Sequence, residues 1–122
     1  MKTVSKQFIV LINQAPIGCR SGQNAVDAIL AISIFDQPVA VIFTEDGVYQ
    51  LFTGQSIEKS GPKEYRHQFQ DLATYGVENL YMDSDSAKQR GIDESDLLLK
   101  PDWVDHHQIS RILLESSHIL TF

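Results

Sequence analysis

Two short apolar runs frame the first third of the chain. Phe8-Ile-Val-Leu-Ile12 and Val39-Ala-Val-Ile-Phe43 contain no polar position, and runs of this length and β-branched content belong to strands buried on both faces, as in parallel sheets. Between them the period changes: from Gln23 to Phe35, Ala25, Ile29 and Ile32 share one face with Val26, Leu30 and Ser33 beside it, the spacing of a helix that Gln37-Pro38 ends. Val48 to Phe52 is short enough for one helical turn between Gly47 and Gly54, and Gln55 to Gly61 is polar and reads as loop. Pro62 suits the first position of a helix in which Tyr65, Phe69, Leu72 and Ala73 recur at helical intervals, with Gly76 as its C-terminal cap. Val77 to Met82 is predicted to be a third strand, Ser84 to Arg90 a short helix stopped by Gly91, and Leu97-Leu-Leu99 a brief fourth strand. Asp102 with Asp105 could cap the next helix, where Val104, Ile109, Ile112 and Leu113 form an apolar stripe, and His118 to Phe122 is a fifth strand.

Strands alternating with helices through short loops predict an α/β fold. The expectation is a single three-layer α/β/α domain over residues 1–122, with a mainly parallel sheet of about five strands joined by right-handed crossovers. In such sheets a ligand or partner crevice opens beyond the carboxyl ends of the strands, which singles out the loops Asn13 to Gly22, Thr44 to Gly54 and Asp83 to Arg90. No internal repeat is visible.

Composition narrows the function classes. The 122 residues are 43% apolar and 21% charged, enough to bury one core without disulfides and too few for two. Cys19 is the single cysteine, which excludes an intrachain disulfide, a Cys-x-x-Cys pair and a multi-thiolate zinc site, and fits a reducing cytoplasm. The apolar stretch Phe8 to Ile12 is too short for a signal-peptide core or a membrane span, so neither export nor a membrane is expected. Ten basic against sixteen acidic side chains leave a net charge of −6, which opposes direct nucleic-acid binding.

Local chemistry is sparse. Cys19 lies in Pro16-Ile-Gly-Cys-Arg-Ser-Gly22, where a helix start and Arg20 could lower a thiol pKa; the plain reading is a small residue in a turn. Ala25 stands where a phosphatase-type Cys-x5-Arg loop needs arginine, and no Gly-x-Gly-x-x-Gly, Walker-type or Gly-x-Ser-x-Gly motif is present. Nucleotide binding at the strand ends is a minor reading, and no cofactor is expected. Asp83 with Asp85, and Glu45 with Asp46, could each hold a cation but serve equally as helix caps, which is the favoured reading. His106 and His107 are adjacent and point about 100° apart, unlike an i, i+4 metal pair, so they are read as solvent-facing and no metal site is assigned. Trp103, Tyr49, Phe52 and Tyr65 are read as packing or subunit-contact residues.

Longer-range patterns carry a family resemblance. Ala15-Pro16-x-Gly18, Gly22 with Asp27-Ala28-x-Leu30-Ala31-x-Ser33, and above all Val41-x-Phe43-x-x-Asp46-Gly47-Val48-x-Gln50-Leu51-x-x-Gly54-Gln55 resemble the TusC/DsrF branch of the DsrE/DsrF/DsrH family. Leu72-x-x-Tyr75, Arg90-Gly91-x-Asp93 and Ile119-Leu120-x-Phe122 extend the likeness over nearly the whole chain.

The resemblance implies a cytoplasmic sulfur-relay subunit that assembles with TusB-like and TusD-like siblings as a dimer of heterotrimers. The relay receives persulfide sulfur from small carrier proteins and passes it on for 2-thiolation of the wobble uridine of certain transfer RNAs; DsrF members serve dissimilatory sulfur oxidation instead. In the sulfur-bearing sibling the catalytic cysteine ends the third strand, eight residues before the glycine of an Arg-Gly pair. Asp83 matches that position here, and a carboxylate cannot carry a persulfide, so the resemblance implies a non-catalytic subunit with no catalytic residue of its own. The alternatives are a DsrF-like role, or persulfide on Cys19. Without its siblings the subunit is expected to expose an apolar patch and could form a homo-oligomer.

Overall fold

The computed structural model describes residues 7–16, 20–53 and 66–122. Five strands, β1 (Phe8–Ile12), β2 (Val39–Phe43), β3 (Asn79–Asp83), β4 (Asp102–Val104) and β5 (His118–Thr121), form one sheet in the order β4-β3-β2-β1-β5. All four pairings are parallel, with Val10 opposite both Val41 and Leu120 and Met82 opposite Trp103. The expected α/β architecture is therefore present, with a wholly parallel sheet.

Topology decides which face each connection covers. The steps from β1 to β4 all move in one direction across the sheet, and right-handed crossovers then stack their connections on a single face. There α1 (Ser21–Ile34), α2 (Ser84–Gln89) and the 3₁₀ segments 45–51 and 66–75 enclose the larger core, built on Ile12, Ile29, Val41, Phe43, Leu72 and Met82. From β4 the chain jumps back past β1 to β5, and the same handedness places α3 (His106–Leu114) on the opposite face, over Ile9, Ala40, Ile42, Val104 and Ile109.

Several expectations need correction. Leu97–Leu99 is not a strand: Leu97 makes one isolated antiparallel bridge with Phe52, and the Leu98 N–H donates to the Leu51 carbonyl at 2.7 Å. The fourth strand is Asp102–Val104, so Val104 joins the core from the sheet and Asp102 lies in a strand, while Asp105 alone caps α3. The helix expected after Pro62 is, over its described part, a 3₁₀ segment, Arg66–Tyr75. Its buried positions explain this, because Arg66, Phe69 and Leu72 fall three residues apart and three residues per turn aligns them toward the core. The Arg66 guanidinium donates to the carbonyls of Phe52 (2.7 Å) and Tyr49 (3.3 Å), satisfying the end of segment 45–51. Pro62 and Tyr65 lie outside the described residues. Gly76 does end its segment in a left-handed conformation (φ 86°), with the Val77 N–H returning to the Leu72 carbonyl at 3.0 Å.

Candidate functional site

The crevice of interest follows from the same topology. The loop after β3 turns toward the α2 face and the loop after β4 toward the α3 face, so a cleft opens where adjacent strands send their chains apart. A cleft of about 330 Å³ lies there, lined by Thr44 and Asp46 after β2, by Asp83, Asp85 and Arg90 around α2, and by His106 at the start of α3, among others. Of the three loops singled out in the sequence, the structure joins two here. Cys19 of the third lies outside the described residues.

Asp83 is the centre of the cleft wall. It is the last residue of β3 and the N-cap of α2, almost fully buried at 1% exposure. Its Oδ1 accepts the N–H groups of Asp85 (3.0 Å) and Ser86 (3.2 Å), as an N-cap carboxylate should. Its Oδ2 accepts the hydroxyls of Thr44 (2.6 Å) and Ser86 (2.8 Å). Burial pushes this carboxyl's pKa up, but the hydrogen bonds from Thr44 and Ser86, helped by nearby His106, outweigh burial and hold it below its ordinary value. The group is thus a fixed carboxylate, and the cap reading of Asp83 is correct.

The loop after β2 is held against this cap. The Glu45 N–H donates to Ser86 Oγ at 2.9 Å, which anchors a residue in the left-handed region (φ 50°) at the start of segment 45–51. Arg90 closes the cleft's far side through Nε to Asp46 Oδ1 (3.1 Å) and Nη1 to the Ser86 carbonyl (3.1 Å). Gly47 is required immediately behind it, because a Cβ there would overlap the Ile12 carbonyl at the end of β1. The Asp46-Gly47-Val48-x-Gln50-Leu51 motif is therefore largely architectural. Val48 and Leu51 enter the core, and buried Gln50 donates from Nε2 to the Gln14 carbonyl at 2.9 Å.

His106 is what sequence reasoning missed. It is strongly exposed, as expected, yet its Nε2 stands 3.7 Å from Asp83 Oδ2 and 3.6 Å from Asp85 Oδ2. His107 takes no part in this cluster. The signal was available only by recognising that Asp102–Val104 is a strand, which makes residue 106 a strand-end position like residue 83. Tyr49 and Phe52 pack edge to face at 5.9 Å and, with Trp103, support the larger core rather than a ligand.

Comparison with known proteins extends these observations. The DsrE/DsrF-like family model matches residues 6–122. A TusC homolog of Vibrio vulnificus is 36% identical, covering 95% of this chain and 98% of its own, and one of Pseudomonas aeruginosa is 30% identical over 97% and 99%. The intracellular sulfur oxidation protein DsrF of Allochromatium vinosum is 38% identical over 80% of this chain and 72% of its own. Among solved structures, the ychN protein from E. coli superposes with a TM-score of 0.80 at 19% identity, covering 97% of this chain and all of that one, a likeness of fold.

Proposed function

Because this chain belongs to the DsrE/DsrF-like family, we propose that it works as a TusC-like scaffold subunit of a sulfur-relay complex, serving 2-thiolation of the transfer-RNA wobble uridine. In this reading it binds TusB-like and TusD-like siblings and holds the latter's sulfur-bearing cysteine in place, in the cytoplasm. The observation that carries the reading is Asp83. At the third strand's carboxyl end, where the sulfur-bearing sibling has its cysteine, this chain has an ionised carboxylate with both oxygens engaged by four donors. Such a group offers no sulfur to be attacked or transferred.

Exposed apolar surface supports the assembly half of the reading. Ile34 and Phe35, at the end of α1, are about three-quarters exposed (75% and 74%), and a hollow of about 320 Å³ beside them is lined by Phe8, Ala31, Ile32, Phe35 and Gln37. Apolar surface of this kind suits a subunit contact. Co-expression with the two siblings followed by size-exclusion chromatography tests the proposal: the three chains should elute together, and consistent separate elution overturns it. The identity to DsrF supports a second reading, a subunit of a sulfur-oxidation complex. Neighbouring genes discriminate, since genes for dissimilatory sulfur oxidation beside this one favour the second role and their absence the first.

A further inference from the structure

We propose that β5 is the docking edge for a second copy of this chain, paired antiparallel about a twofold axis through Leu120 so that two sheets become one. The inference does not rest on the sulfur-relay reading: it concerns two identical chains and is tested on this chain alone.

The backbone sets the docking chemistry. The Phe122 N–H donates to the Leu11 carbonyl and the Phe122 carbonyl accepts the Asn13 N–H, both at 2.8 Å, so residue 122 turns its peptide groups toward β1. Peptide groups alternate in direction along a strand, which gives Leu120 the same inward sense and turns the N–H and C=O of Ile119 and Thr121 away from β1. Among the described residues no strand lies on that side. α1 packs over β1 and β2 and α3 packs beside β4, and β5 is exposed at all four positions. Edges that must stay unpaired are blunted by lysine, proline, bulges or inward-pointing charges; His118-Ile-Leu-Thr121 carries no lysine or proline and runs in unbroken register along β1.

The strand is also its own complement. With Leu120 on the axis, Ile119 of one protomer faces Thr121 of its partner, and these are the residues whose peptide groups point outward. The two exchange N–H···O=C bonds, and the symmetry repeats the pair on the other side of the axis. Centring the axis on Ile119 instead sets Thr121 against Ser117, whose N–H already donates to the Gln7 carbonyl at 2.9 Å, and loses a pair. Side chains follow the same register. Leu120, exposed on the α1 face beside Val10, meets its own counterpart, and exposed Ile119 lies beside the partner's Thr121 on the α3 face. Phe122 of the partner comes opposite His118, whose ring stacks on Phe8 at 4.8 Å. A strand pair this short buries an area at the small end of specific interfaces, so the dimer forms on concentration and dissociates on dilution.

Sedimentation velocity on the full-length chain tests the proposal, with Cys19→Ser as the parent so that the native thiol forms no disulfide. A reversible monomer–dimer equilibrium is expected. Thr121→Pro removes an outward N–H without touching the ladder to β1, and Leu120→Asp sets two carboxylates face to face on the axis; each should weaken dimerisation at least about tenfold. Tyr75→Ser, at an exposed aromatic ring before β3, should leave it unchanged. Equal melting curves of the dilute chains check that the fold is kept. Cross-linking checks the register separately. Leu120→Cys should form an intermolecular disulfide on mild oxidation, since the Cα atoms of such a non-hydrogen-bonded pair stand about 4.5 Å apart. Ile119→Cys should not, because its Cα lies roughly 8 Å from its counterpart, beyond the reach of about 7 Å. A monomer at every concentration, undiminished dimerisation of Thr121→Pro, or equal cross-linking of the two cysteine variants would each overturn the proposal.

Discussion

Asp83 ties three segments together through one carboxylate: it caps α2, receives the Thr44 hydroxyl from the end of β2 and fixes Ser86, which in turn holds the Glu45 amide. Asp83→Ala removes a cap worth about 1 kcal/mol and leaves buried donors without an acceptor, so a loss of about 2–4 kcal/mol is expected in urea unfolding. The pH dependence has a definite sign. A carboxyl whose folded pKa lies below its unfolded value contributes fully above the unfolded value, about pH 4, and its contribution fades as pH falls through the folded value. Acid unfolding of the wild type should therefore steepen below about pH 4, and Asp83→Asn should show a shallower acid limb; superimposable limbs would contradict the assignment. Asp83→Cys is the complementary substitution. It places a thiol at the position that the proposed function assigns to the cysteine of a sulfur-bearing sibling, and mass spectrometry after exposure to a sulfane donor should find an added sulfur at residue 83. The same measurement decides the alternative reading of Cys19: an adduct that is present in the wild type and lost in Cys19→Ser would establish that thiol as a carrier.

At the scale of elements, the parts readable from the sequence were those with a strong period or an uninterrupted apolar run. β1 and β2 match their runs residue for residue, and α1 differs from its expected span only at the ends. β4 was not readable, since three residues reading Asp-Trp-Val carry no period, while the neighbouring Leu97-Leu-Leu99 mimics a strand and instead packs beside Phe52. That substitution hid half of the candidate site. Asp83 was legible as a strand end, but His106 could be recognised only once β4 was known to stop two residues before it. The 3₁₀ form of Arg66–Tyr75 was equally concealed, because Phe69 and Leu72 satisfy a three-residue and a 3.6-residue period alike and buried Arg66 decides between them. Capping, by contrast, is local and was visible: Asp105 accepts the Gln108 N–H while the Gln108 side chain accepts the Asp105 N–H, both at 2.9 Å. Asp105→Ala should cost about 1 kcal/mol by thermal or urea unfolding. Gly47→Ala should cost more, about 2–3 kcal/mol, since the loop must move off the Ile12 carbonyl to admit a methyl group.

For the whole molecule, the distribution of apolar surface separates what folds the chain from what joins it to others. The two cores are closed, with Ile9, Val10, Val41 and Phe43 fully buried, whereas Ile34, Phe35 and Leu114 remain exposed. Among the described residues no helix is long and apolar enough to cross a membrane, so this surface does not belong to a spanning helix. Phe35→Ser should leave the chain's own stability nearly unchanged while weakening its co-elution with the TusB-like and TusD-like partners proposed for it. A variant that unfolds in isolation would instead mark Phe35 as part of the core.

The two borders of the sheet are unlike. β4 is three residues long and follows Pro101, a truncated margin that gives little purchase to another strand. β5 is exposed at all four positions, and among the described residues no strand lies on the side away from β1. Strand addition would then be possible on one flank only. Two such molecules could join flank to flank about a twofold axis, and the joined object would present only truncated margins, with nowhere for a third to attach. Crowding this chain should accordingly yield discrete pairs and not fibrils.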